Sequence, residues 1–353
     1  MKIFVPGRTE IIGNHTDHQL GRVIASAVKP GMTAHCNAIG ENIAKVQSGK
    51  RSPMVVRLDD LSPRKAEEGS TYALIRGMCC ALEKRGYKIG GFSAKVNSSL
   101  RSGGGLSSSA AFCVLMGRII SALYNGDKID PVTIARCAQE AENLHFGKPS
   151  GLMDQLACAI GKPVYIDFLT EEIVPIDCDF ARMGLVLCLT DTGGSHSNLT
   201  ADYAAIRSDM NAVADFYGKD ALAYVNPSEF AEKGFADASA ALRAEHFFEE
   251  NERVPLMKAA MEKLDREECL RIMNLSGRSS EEKLRNIRCA AGDDRLEQGL
   301  KLSAKLLEGK GAWRVHGGGF AGCVQALVPE EDFASYARAM DASFGLGSCF
   351  RIM

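Results

Sequence analysis

Residues 97–112 read NSSLRSGGGLSSSAAF and carry the densest chemical signal in the chain. Three consecutive glycines, Gly103, Gly104 and Gly105, open backbone angles that side chains forbid and let a ligand come against the main chain. Ser107, Ser108 and Ser109 follow where a helical pattern begins, and serine is a favoured helix cap. Unpaired N–H groups and the dipole at a helix start attract an anion, so phosphate is the natural occupant. Neither the GxxxxGK(S/T) pattern of a P-loop nor the GxGxxG pattern of a dinucleotide fold is met. By itself the segment also reads as a capped Gly/Ser turn. Residues 316–323, HGGGFAGC, form a second glycine-rich turn, which either brings backbone against phosphates or closes a tight hairpin. Residues 6–21, PGRTEIIGNHTDHQLG, gather Arg8, Asn14, His15, Asp17 and His18. Such a set either hydrogen-bonds several hydroxyls of a small polar ligand or forms a solvated loop.

The elements that must position these segments follow from hydrophobic patterning. Short apolar runs at 2–5, 23–28, 33–38, 44–47, 54–58 and 92–96 predict strands, with 7–20 left as a polar, irregular loop. Helical periodicity covers 72–87, with Leu74, Ile75, Met78 and Leu82 as its apolar face, then 106–124, 131–146 and 152–160. Strands are expected at 164–168 and 185–189. The second half is richer in helix, at 198–216, 236–248, 252–264, 266–274, 280–290, 294–308 and 331–342. Strands complete it at 312–316, 324–328 and 349–352. The irregular alternation predicts an α+β fold. The change in pattern near 165–180 predicts two domains, 1–170 and 171–353.

Composition narrows the function classes. The 353 residues are 46% hydrophobic and 24% charged, which excludes long disorder and low-complexity architectures. Lys plus Arg number 42 and Asp plus Glu 44, a net charge of −2. No global field therefore favours nucleic acid or an anionic membrane, and an anionic ligand needs a local site. No apolar run is long enough to span a membrane and no secretory pattern opens the chain. Twelve cysteines are scattered without CxxC spacing, mostly in apolar runs, so reduced thiols in a cytoplasmic protein are expected.

Taken in order, these segments resemble the galactokinase branch of the GHMP kinases. GRTEIIGNHTDH at 7–18 is similar to the family's GRxNxIGEHxDY signature, and GGGLSSSA at 103–110 to its GxGLSSSA motif. GLMDQ at 151–155 is similar to GIMDQ, and GGGFAGC at 317–323 to a GGGFGGC turn. The resemblance implies a two-lobed fold, with an N-terminal lobe like ribosomal protein S5 and a ferredoxin-like C-terminal lobe with extra helices. It implies an enzyme, an ATP-dependent phosphotransferase acting on the anomeric hydroxyl of a sugar, most simply galactose. Asp154 falls at the catalytic aspartate, to accept or orient the hydroxyl proton. Arg8 falls at the arginine beside it, to keep Asp154 ionised and offset charge on the phosphoryl group. Gly103, Gly104, Gly105, Leu106, Ser107, Ser108 and Ser109 fall on the ATP-phosphate loop. Ser109 and Glu142, with Glu140 as the rival of Glu142, match the magnesium-associated positions. Asn14, His15, Asp17, Gly151 and Tyr203 match sugar-contact positions. ATP and Mg²⁺ are the implied cofactors and a small sugar the implied partner, with no nucleic acid or membrane and a monomer or weak homodimer.

The departures bear on the substrate. Asn14 stands where the family has a glutamate near the sugar C6, and His18 where it has tyrosine. An uncharged Asn14 tolerates a C6 carboxylate that a glutamate repels. HTDHQ at 15–19 also resembles the HIDHQ of plant-type galacturonate kinases, so a galacturonate 1-kinase is one alternative. A non-catalytic ATP/galactose sensor is another, and the retained Ser109-Ala110, Asp154 and Arg8 argue for an enzyme. Other open readings at this level are Asp154 as a helix cap, Glu142 on a solvated helix face and His316 as a bystander.

Overall fold

Two units divide the chain in the computed structural model, which describes residues 1–100, 105–194, 199–289 and 292–353. The first unit takes Met1–Arg8, 26–100 and Leu106–Lys162; the second takes Thr9–Ala25, Gly105 and Pro163–Met353. Residues 9–25 and 163–170 thus group with the C-terminal half, whereas the patterning change had set a single boundary at 170.

The first unit is led by β1 (Lys2–Ile12), whose residues beyond Arg8 belong to the second, and by β2 (Arg22–Ala38), shared likewise. Then come β3 (Ile43–Ser48), β4 (Met54–Arg57), α1 (Thr71–Lys84), β5 (Phe92–Ser98), α2 (Ser108–Tyr124), α3 (Pro131–Glu140) and α4 (Met153–Ile160). Met32–Ala38 of β2 pairs antiparallel with β5, β5 pairs parallel with β3, and β3 pairs antiparallel with β4. Ile75, Met78 and Leu82 of α1 pack with Phe92 and Val96 of β5 and with Leu115 and Ile119 of α2. Local chemistry sets the helix starts: Ser70 accepts from Ala73 N–H, and Asp130 accepts from Thr133 N–H ahead of Pro131.

Two expectations fail here for one reason each. The runs at 23–28 and 33–38 form one strand, unbroken at Pro30-Gly31. A Cβ at Gly31 would stand 2.4 Å from Val5 O, so glycine is what lets β1 lie against β2. The polar loop expected at 7–20 begins only after Ile12, because Thr9–Asn14 is buried chain.

The second unit continues with β6 (Val164–Asp167), β7 (Glu172–Pro175), β8 (Leu185–Asp191), α5 (Thr200–Phe216), α6 (Pro227–Lys233), α7 (Ala238–Lys263), α8 (Arg266–Ser279), α9 (Arg295–Leu307), β9 (Ala312–Val315), β10 (Cys323–Pro329), α10 (Phe333–Phe344) and β11 (Cys349–Arg351). Arg22–Ala25 pairs with β6, and β6 with β7. A four-stranded antiparallel sheet runs β11-β8-β10-β9, and its core joins Val186, Ala326, Val328, Tyr336 and Met340. The helices expected at 236–248 and 252–264 are one 26-residue helix, α7, with Pro255 inside it. Proline there costs roughly 3 kcal/mol of helix stability. The buried face of Phe247, Val254, Met257 and Met261 runs through it and offsets that cost. All twelve cysteines are buried and none is in a disulfide. Among the described residues no helix is long and apolar enough to cross a membrane.

Candidate active site

In the first unit the glycine-serine segment ends at the start of α2. Ser107 sits at its N-cap with left-handed angles, φ 54 and ψ 60, and makes no capping bond with its side chain. Its hydroxyl instead donates to Asp154 Oδ2. Arg8 Nε donates to Asp154 Oδ1 at 2.6 Å and Arg8 Nη2 to Oδ2 at 2.9 Å. Arg8 is held in place by its own N–H, which donates to Leu106 O at 3.2 Å. Gly7 permits that approach, since a Cβ there would stand 2.8 Å from Leu106 O. Asp154 lies in the first turn of α4, where the helix dipole favours a carboxylate, but it caps nothing. Burial would raise its pKa; the charge of Arg8, then the bonds from Arg8 and Ser107 and the charge of Lys148, outweigh it and hold Asp154 below the usual carboxylate value. The result is an ionised carboxylate, its side chain 21% exposed, beside a fixed cation at a helix N-terminus. That is a base with an anion cradle at hand.

Glu142 is buried rather than on a solvated face. It lies in the π-helical turn Ala141–Phe146, four residues beyond Ala138 and eight beyond Ile134, on the buried face of the helix. Its Oε2 accepts from Gln155 Nε2 at 2.7 Å, while Oε1 is buried with no hydrogen-bond partner and has Lys148 Nζ at 3.9 Å. Its rival Glu140 is taken up by Arg85 at 2.8 Å and Lys84 at 3.7 Å. Ser109 stands in the first turn of α2, half-buried; Ser108 opens that helix, and Gly151 is exposed just before α4. Gly103 and Gly104 lie outside the described residues.

The second unit brings three of the expected sugar residues onto one turn. Asn14 Nδ2 donates to Gly317 O at 2.5 Å, His15 Nε2 to Gly318 O at 3.0 Å, and Tyr203 Oη to Gly319 O at 3.0 Å. The remaining capacity of Asn14 is also taken: Nδ2 donates to Glu10 Oε1 at 3.4 Å, and Oδ1 accepts from Asn286 Nδ2 at 2.8 Å and Ser280 Oγ at 3.3 Å. No atom of Asn14 is left to meet a sugar C6 group, which removes the basis on which its lack of charge implied tolerance of a uronate. His15 Nδ1 accepts from His18 Nε2 at 3.3 Å, and burial, with the charges of His15 and Arg207, pushes the His18 pKa down to about 3. Asp17 opens the short helical turn Asp17–Gln19 and is half-buried.

Patterning missed the residues that anchor this loop. Glu250 Oε1 accepts from Gly13 N–H at 3.1 Å and Asn14 N–H at 3.3 Å, and His246 Nε2 donates to Asn14 O at 2.9 Å. Glu250 itself is fully buried, held by Ser276 at 2.6 Å and Arg253 at 2.8 Å. The available signal was that His246 and Glu250, four apart, fall on the apolar face of α7 beside Phe247 and Val254.

The model of the galactokinase galactose-binding signature matches residues 2–38, and that of the GHMP kinases N-terminal domain matches 73–162. The galactokinase of Mycobacterium tuberculosis is 32% identical over 338 residues, 92% of this chain and 88% of that protein. The chain belongs to the galactokinase family. A Streptomyces coelicolor galactokinase is 29% identical over 96% of this chain and 87% of its own length. The fold is shared with the galactose complex of Lactococcus lactis galactokinase, at a TM-score of 0.85 and 22% identity over 100% of this chain and 92% of that one. Methanococcus jannaschii mevalonate kinase shares it at a TM-score of 0.71 and 15% identity, over 100% and 98%. The α+β, GHMP-kinase class expected from the motifs is therefore the class observed, and family membership makes the protein a kinase that phosphorylates a hydroxyl group.

Proposed function

We propose that this chain transfers the γ-phosphoryl group of ATP to the anomeric hydroxyl of galactose, giving galactose 1-phosphate and ADP. The observation that carries the reading is the Asp154 carboxylate held ionised by Arg8 and Ser107 at the start of α2. Asp154 accepts the hydroxyl proton as the anomeric oxygen bonds to phosphorus and the bond to the β–γ bridging oxygen breaks. Arg8 offsets negative charge gathering on the phosphoryl oxygens. The segment from Gly105 to Ser109 is assigned to the ATP phosphates, and the N–H groups of Ser108 and Ser109 suit them because the first turn of α2 leaves these without helical partners. Asp17 is assigned to two vicinal sugar hydroxyls, and Gly151 to a close backbone approach.

The residues present fit a magnesium ion. Glu142 Oε1 is a buried carboxylate oxygen without a hydrogen-bond partner, and Ser109 offers a hydroxyl on α2. Mg²⁺ takes such oxygen ligands along with phosphate oxygens. When bound, the ion supplies charge neutralisation on the ATP phosphates.

ADP release by the purified protein with ATP and Mg²⁺ tests the reading, using galactose, galacturonate, N-acetylgalactosamine, glucose, arabinose and no sugar. Turnover on galactose, lost in Asp154→Asn, supports it. Turnover on galacturonate alone, or ATP binding with no turnover on any sugar, overturns it.

A further inference from the structure

Lys148 lies beside Glu142, and its charge is felt at Asp154, yet it has no part in the reaction described above. The chain brings it there by turning back on the π-helical turn Ala141–Phe146. Gly147 ends that turn with left-handed angles, φ 79 and ψ 21, which glycine adopts without strain. The Lys148 N–H then donates to Glu142 O at 3.0 Å. Two further bonds staple the next residues to the helix: Ser150 N–H donates to Asn143 Oδ1 at 2.7 Å, and Gln139 Nε2 donates to Ser150 O at 3.1 Å. The backbone at Lys148 is therefore fixed, while its side chain is 50% exposed.

The Lys148 ammonium stands 3.9 Å from Glu142 Oε1, beyond hydrogen-bond reach. Glu142 Oε2 is engaged by Gln155, so Oε1 is the oxygen left beside the ammonium. Arg8 differs, because its Nε and Nη2 are committed to Asp154. The Lys148 side chain makes no hydrogen bond to a described residue, so three N–H donors on a flexible stem remain for a ligand. The charges of the site define that ligand. A metal ion on Glu142 Oε1 would set a dication beside the ammonium, and like charges repel unless anionic oxygens lie between them. In phosphoryl transfer the group that lies between the base and the metal site is the transferring phosphoryl, whose oxygens carry that negative charge.

We infer that Lys148 is a further catalytic residue, whose ammonium donates to an oxygen of the γ-phosphoryl group as that group passes to the sugar. This deepens the kinase reading and rests on it. The inference separates two nucleotides, since ATP carries the group that Lys148 holds and ADP does not.

Lys148→Met keeps the stem and removes the charge. Calorimetry without sugar reads the Kd for ADP and for an ATP analogue with a non-hydrolysable imido β–γ bridge, both with Mg²⁺. In Lys148→Met the Kd for the analogue is expected to rise about tenfold, the scale of one lost hydrogen bond to a charged group, with the Kd for ADP within about twofold of the wild type. In turnover, kcat is expected to fall about tenfold or more, with the KM for sugar unchanged. Lys148→Arg keeps a cation and is expected to recover most of the affinity for the analogue. Equal loss for ADP and analogue, or no loss for either, overturns the inference. Tighter binding of the analogue also overturns it, because Lys148 would then only obstruct the metal site. If Lys148→Met does not fold, Lys148→Gln is read in the same way. Nucleotide binding is measured without sugar, so silence on every sugar sinks the galactose reading and leaves this test decisive.

Discussion

The guanidinium of Arg8 meets the carboxylate of Asp154 through two hydrogen bonds, at 2.6 Å and 2.9 Å, while the Ser107 hydroxyl donates to the same group. Three donors to one partly buried carboxylate fix both its charge and its direction. Asp154→Asn keeps the size of the group and removes its basicity. Turnover is expected to fall by about a thousandfold, within the range attributed to a positioned base, with Tm close to that of the wild type. Near wild-type turnover in this variant removes Asp154 from the role of base.

Arg8 is the largest influence holding the Asp154 pKa down against burial, so its removal has a signed consequence. In the wild type, Asp154 is ionised above the usual carboxylate value of 3.8 and kcat/KM keeps its base form down to below that pH. In Arg8→Met, burial acts with less opposition and the acid limb of kcat/KM moves up. A pH profile of both proteins checks this. An unmoved limb shows that Arg8 does not set the charge of Asp154.

The meeting of Arg8 with Asp154 was legible through the family resemblance of the two motifs, although Arg8 lies inside β1 and not at a strand end. The orientation of the second set was not. Asn14, His15 and Tyr203 are polar residues of the kind that contact a sugar, and they point instead to carbonyls of Gly317, Gly318 and Gly319. Which way a polar side chain turns depends on partners 116 to 303 positions away, and no local pattern carries that information. The element errors have a similar origin. Pro30-Gly31 and Pro255 are breakers by local rule, and packing across them overrides the rule. The solvated reading left open for Glu142 fails because it lies four residues beyond Ala138 and eight beyond Ile134, on the buried face of the helix.

Asn14 supports a prediction about stability. All four of its hydrogen-bonding positions are used, and it is 1% exposed. Asn14→Glu, which restores the family's residue, would bring a second carboxylate beside Glu10 and lose the donor to Gly317. The expected cost is about 3 kcal/mol, the scale of an uncompensated buried charge, with Tm falling by roughly 4 °C. Thermal unfolding of the two proteins decides it. An undiminished Tm accompanied by a changed ratio of kcat/KM for galactose and galacturonate would return Asn14 to the sugar site.

His246 gives the chain a pH-dependent stability with a defined window. Burial lowers its pKa from 6.5 to about 4, against the charge of Glu250 and the bond to Asn14 O. A lowered folded pKa means that the unfolded chain binds the proton more tightly. Its stabilising contribution is therefore complete above pH 6.5 and is lost as pH falls toward 4. A difference of that size corresponds to about 3 kcal/mol. His18, lowered to about 3, acts in the same direction. Glu250, lowered from 4.5 to about 2, adds its own loss chiefly below pH 4.5, so the interval from 6.5 to 4.5 belongs to the histidines. His246→Gln keeps an amide donor for Asn14 O and cannot titrate. The expected outcome is a wild-type Tm that declines across that interval and a variant Tm that declines less. Parallel declines in the two proteins would mean that His246 is protonated in the folded state and that α7 anchors the loop by a different bond.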